Sequence, residues 1–114
     1  MTKKIAFVGL GGMGRGVVKN IALKGGDVTG LDLDEAKIVE AEGFGAKLGS
    51  TPVEMAEACD VFAVCITTAE AVQDMALGRD GVLDRMKQGA IFLDHTTVSV
   101  AHVEKMRDEC EARG

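Results

Sequence analysis

Residues 5–16, IAFVGLGGMGRG, constrain the chain more than any other stretch. The apolar run 5–8 ends in Gly9, Gly11 and Gly14 at GxGxxG spacing, and residues 17–24 (VVKNIALK) then read as a helix. Strand, glycine turn and helix in that order describe a βα unit whose turn holds a dinucleotide pyrophosphate. Gly9 permits the tight turn, Gly11 lets the backbone approach the phosphates, and Gly14 lets helix and strand pack closely. Helix N-terminal amides, left without carbonyl partners, then meet the anion. Glycine makes up 15 of the 114 residues, so the spacing carries weight only because a strand precedes it, a helix follows and an acid stands at Asp32.

The remainder alternates in the same way. Gly25 and Gly26 end the first helix, 27–32 (DVTGLD) reads as a second strand, and Asp34 is placed to cap a helix over EAKIVEAE. Residues 46–48 suit a short third strand. Thr51-Pro52-Val53-Glu54 predicts a helix start with Thr as N-cap, Pro at the first position and Glu completing a capping box. The continuous apolar run 60–66 (DVFAVCI) fits a fourth strand buried on both faces, beside the first. A helix over 69–77, a turn at 78–81, a short helical segment at 82–86, a fifth strand at 90–94 and a helix over 100–113 capped by Ser99 complete the chain. This pattern predicts an α/β fold, a doubly wound parallel sheet of Rossmann type.

Ligands of such sheets bind at the carboxyl ends of the strands. Asp32 ends the second strand, where a carboxylate accepts hydrogen bonds from the adenosine ribose and repels a 2′-phosphate. With Leu33 next and no Arg nearby, NAD is favoured over NADP. Thr67 and Thr68 follow the fourth strand and suit either a nicotinamide ribose or the cap of the next helix. After the fifth strand come His95, Thr96 and Thr97, hydroxyls and an imidazole able to orient a small polar substrate. His95 is a candidate general acid or base by its intrinsic pKa, and equally an ordinary polar loop residue.

Composition excludes several classes. A net charge of −5 disfavours nonspecific nucleic-acid binding. No apolar run approaches the ~20 residues of a membrane span, and Thr2-Lys3-Lys4 opens no sustained apolar signal segment. Cys59, Cys65 and Cys110 form no CxxC pair, so neither a disulfide framework nor a metal site is indicated, and the expected compartment is a reducing cytoplasm.

The opening FVGLGGMGRGVVKNI resembles the FIGLGxMGxxMAxNL motif of the β-hydroxyacid dehydrogenases, which include 3-hydroxyisobutyrate, tartronate semialdehyde and 6-phosphogluconate-type enzymes. The stretch ALGRDGVLDRMKQGAIFLDHTTVS is similar to their LxGxxGVLxxxKxGxxxxDxSTxxP region. The resemblance implies cofactor contacts at Gly9, Leu10, Gly11, Gly12, Met13, Gly14 and Asp32, at Ile66 and Thr67, and at Thr97, with Thr96 and Thr97 also serving the substrate. Thr67 replaces the family's usual Pro, and Val100 stands where a Pro normally follows. The family's catalytic lysine lies in a later GxxGxGxxxKxxxN motif that these residues do not contain, and Lys87 and Lys105 are not in it. The expectation is therefore an N-terminal cofactor-binding portion, 1–114, truncated before a helical domain that makes the parent a homo-oligomer. That parent would be an NAD-dependent oxidoreductase of a small 3-hydroxy acid. A noncatalytic dinucleotide sensor and a portion of an imine reductase are the alternatives.

Overall fold

The computed structural model describes residues 3–96 and 99–114. Strand β1 (Lys4–Val8) is apolar from Ile5 onward and occupies the centre of a five-stranded parallel sheet, order β3-β2-β1-β4-β5. It pairs with β2 (Asp27–Leu31), Ile5 opposite Val28, and with β4 (Val61–Val64), Ile5 opposite Val61. Strands β3 (Lys47–Leu48) and β5 (Ile91–Asp94) form the edges. The chain winds outward to β3 and then returns to β4, so the order reverses between β1 and β4. A crevice opens at the carboxyl edge at such a reversal.

Alternation along the strands supplies two cores. Ala6, Val8, Phe62 and Val64 bury against α3 (Pro52–Ala58), α4 (Ala69–Leu77) and α5 (Val100–Arg113), through Met55, Val72 and Met106. Phe7, Val28 and Ala63 bury on the opposite face with Val18 of α1 (Gly12–Leu23) and Ala41 of α2 (Glu35–Gly43). Removing Phe7 and Phe62 from water stabilises the fold by roughly 2–3 kcal/mol each. Phe92 of β5 stacks on Phe62, with centroids 6.1 Å apart, while its neighbours Ile91 and Leu93 point the other way and are exposed.

Doubly wound α/β architecture is as the sequence predicts, and four local details differ. Helix α1 begins at Gly12 rather than at residue 17, because the glycine loop itself supplies the first turn. Strand β4 is shorter than 60–66: Asp60 turns its carboxylate to the Lys4 amide (2.8 Å), and the Ile66 amide leaves the ladder for the Thr96 hydroxyl (3.1 Å). The capping box at α3 is half formed. Thr51 Oγ1 accepts the Glu54 amide (3.2 Å), but the Glu54 carboxylate takes the Ser50 hydroxyl instead of reaching back to the Thr51 amide. The segment 82–86 contributes only a single 3₁₀ turn, Val82–Asp84.

Candidate functional site

The glycines of the β1–α1 loop divide by what a side chain would meet. Gly9 has φ +103°, and a Cβ there would lie 2.1 Å from the Cys65 carbonyl oxygen. At Gly14 a Cβ would lie 1.9 Å from the Gly9 carbonyl oxygen and 3.0 Å from the Phe7 ring. The chain therefore closes tightly beneath the loop. Gly11 and Gly12 are the reverse: a Cβ would meet nothing within 4 Å, so the loop leaves an open cradle above α1. Met13 beside it is 62% exposed.

Helix α1 starts on Gly11 without a side-chain cap, leaving the first-turn amides to be satisfied from outside. The other four α-helices all carry one, from Asp34, Thr51, Thr68 and Ser99. An uncapped N-terminus with partial positive charge, under an open glycine cradle, suits a phosphate.

Asp32 stands at the end of β2 and binds the loop from the side. Its Oδ2 accepts the Leu10 amide (2.7 Å) and its Oδ1 the Asp34 amide (2.9 Å). Burial pushes this carboxyl up, but the Asp34 and Leu10 amides and the nearby Lys37 charge outweigh it and hold the pKa below 3.8. The group is an anion at neutral pH, and each oxygen keeps a lone pair for a ribose hydroxyl. Leu10 itself is 2% exposed, its side chain in the α1–α2 core, so it can face a ligand only through its backbone.

Across the crevice, Cys65 and Ile66 follow β4, and Ile66 Cγ2 lies 3.1 Å from the Cβ position of Gly9. Thr67 is exposed. Thr68 caps α4, accepting the Ala71 amide (3.1 Å). Thr96 is 8% exposed, and its Oγ1 accepts the Ile66 amide, joining the loops after β4 and β5. Thr97 lies outside the described residues. His95 donates its amide to the Val64 carbonyl (2.8 Å), and its ring stacks on Phe7 at 5.7 Å. Gly9, Gly11, Gly12, Met13, Gly14, Asp32, Ile66, Thr67 and Thr96 thus lie along the carboxyl edge of the sheet.

Sequence reasoning missed His102 and Gln73. His102 is 3% exposed and joins Asp94 to Gln73. Its spacing with Met106 and Cys110, four residues apart each time, places it on the inward face of α5 and was the available signal. Among the described residues no three His, Cys, Asp or Glu side chains converge as a metal site, and no helix is long and apolar enough to cross a membrane. A recess of about 320 Å³ is lined by the first residues of β1, β2 and β3, Lys4, Asp27 and Lys47, rather than by the glycine loop.

Comparison with known proteins places this geometry. The mouse cytokine-like nuclear factor N-PAC is 37% identical over 112 residues, covering 98% of this chain and 19% of that protein. The 3-hydroxyisobutyrate dehydrogenase of Mycobacterium tuberculosis, solved with L-serine, superposes with a TM-score of 0.90 at 27% identity, covering 100% of this chain and 38% of that one. An imine reductase from Myxococcus stipitatus, solved with NAD+, shares the fold with a TM-score of 0.88 at 22% identity, over 100% of this chain and 38% of that one. The chain therefore spans well under half the length of these relatives. The family model of the NAD-binding domain of 6-phosphogluconate dehydrogenase matches residues 4–114, the whole sheet and the uncapped α1 included, and the chain belongs to that family.

Proposed function

We propose that this chain binds NAD and forms the cofactor-holding part of an oxidoreductase that acts on a small 3-hydroxy acid. The observation that carries the reading is the start of α1: alone among the five α-helices of the described residues it has no side-chain cap, and it opens onto the space that Gly11 and Gly12 leave. The α1 amides would hold the pyrophosphate and Asp32 the adenosine ribose, leaving the β1–α1 and β4–α4 loops to receive the nicotinamide end. When bound, the nicotinamide ring exchanges a hydride with the hydroxyl-bearing carbon of the substrate. The chain's own residues bind and orient: Thr67 would face the nicotinamide ribose and Thr96 the substrate side, with Thr97 outside the described residues. Proton transfer belongs to a lysine outside these residues, in a partner helical domain through which the protein is a homo-oligomer. The three free cysteines fit a reducing cytoplasm.

NAD is chosen over NADP because a 2′-phosphate would meet the Asp32 anion, with Leu33 next in sequence; the Lys37 charge, close enough to lower the Asp32 pKa, works against that preference. Titration with both cofactors tests this. NAD binds more tightly, and Asp32→Asn narrows the ratio by about tenfold, as loss of one charge–charge repulsion and one charged hydrogen bond implies. Tighter NADP binding by the native chain overturns the assignment. Assay of this chain beside the whole protein tests the division of labour, since turnover by the 114 residues alone would refute it.

A second reading, a dinucleotide-binding module without catalysis, draws support from the relation to a protein named as a nuclear factor rather than an enzyme. Reversible NAD binding by the whole protein, with no turnover of any 3-hydroxy acid, would favour it. An imine reductase shares only the fold, and tests of imine substrates separate that alternative.

A further inference from the structure

One line of hydrogen bonds runs from the surface of α4 and α5 to the loop after β4, which packs against the glycine loop. Asp94, the last residue of β5, uses Oδ1 to accept the Thr96 amide (2.8 Å), closing a tight turn, and Oδ2 to meet His102 Nε2 (2.9 Å). On its other side His102 Nδ1 lies 3.0 Å from Gln73 Nε2, and Gln73 Oε1 accepts Lys105 Nζ (3.1 Å). Lys105 can only donate, so it fixes the Gln73 carboxamide with its NH2 toward the imidazole. Nδ1 must then accept, and the ring proton sits on Nε2, where it donates to Asp94. Beyond Asp94 the line continues through Thr96 Oγ1 to the Ile66 amide, and Ile66 packs against Gly9.

We propose that His102 is a positioning residue for the nicotinamide side of the crevice. It fixes the Asp94 carboxylate, whose other oxygen sets the turn carrying Thr96, and through Thr96 it sets how closely the β4–α4 loop approaches the glycine loop. His102 touches no part of the Asp32 side, which is held independently by the Leu10 and Asp34 amides. Its effect is therefore confined to one half of the cofactor. The inference rests on the proposed dinucleotide binding.

Calorimetric titration with NAD and with ADP separates the two halves. His102→Leu keeps the apolar volume and removes the donor. NAD affinity falls about tenfold, of the order that one hydrogen bond to a charged group supplies, while ADP affinity stays within about twofold. His102→Gln, which can return an amide donor near the Nε2 position, restores most of the loss; a purely volumetric role would not distinguish it from Leu. Gln73→Met, on the half-buried rim, removes the Nδ1 partner without emptying the core and lowers NAD affinity in the same direction by a smaller factor. Equal loss of NAD and ADP binding, or no loss in either His102→Leu or Gln73→Met, overturns the positioning role. Failure of the native chain to bind even ADP overturns the functional reading itself, and the positioning role with it.

Discussion

Gly14 and Gly16 stand two residues apart in α1, and a methyl group meets opposite fates at the two. At Gly14 it would collide with the Gly9 carbonyl at 1.9 Å, backbone that cannot swing aside. Gly14→Ala is predicted to destabilise the chain by about 3 kcal/mol or more, measured by urea denaturation. At Gly16 nothing lies within 4 Å, and Gly16→Ala should stabilise by roughly 0.5–1 kcal/mol through helix propensity alone. Asp32 makes a prediction in pH. Its pKa is lowered in the folded chain, so its contribution is fully present above the unfolded value near 3.8 and is lost as pH falls through the lowered folded value. Asp32→Asn should therefore flatten the acid limb of a stability-against-pH curve and lower the plateau above it, leaving the alkaline slope unchanged. The glycine roles and the Asp32 position were legible because residue type alone carries their sterics and charge. The burial of Thr96 was not, since its partner amide lies 30 residues away, nor was the link from His102 to Gln73, 29 residues distant.

At the scale of elements, four helix starts were legible because the capping side chain precedes each helix: Asp34, Thr51, Thr68 and Ser99. The start of α1 was not. Its apolar spacing becomes clear only from Val17, and glycines that disfavour a helix interior are tolerated in its first turn. The same logic resolves the paired threonines after β4. Thr68→Ala is predicted to lower stability by about 1 kcal/mol with cofactor affinity unchanged, because its hydroxyl accepts the Ala71 amide. Thr67→Ala should leave stability within about 0.5 kcal/mol and weaken NAD binding, if the exposed hydroxyl faces the nicotinamide ribose as proposed. Thermal melts and NAD titration on the two variants should give opposite patterns.

For the molecule as a whole, the parallel α/β architecture and the place of β4 beside β1 follow from alternation of apolar strands with helical stretches and were legible in the sequence; the full strand order was not. Which strand residues remain exposed was not, because Ile91 and Leu93 read as core by type and lie uncovered by position on the edge strand. The whole-molecule prediction is thermodynamic. A ligand at about 100 times its Kd stabilises the folded state by about 2.7 kcal/mol, so NAD at that level should raise the Tm by roughly 10 °C in a chain of this size, read by calorimetry. The clasp between the Asp32 carboxylate and the Leu10 amide has a consequence for binding as well. That bond ties the glycine loop to the end of β2 through the chain's own groups, so the fold itself sets the shape of the surface proposed for the pyrophosphate. A ligand group placed there would meet a preorganised surface and would lose less in ordering it.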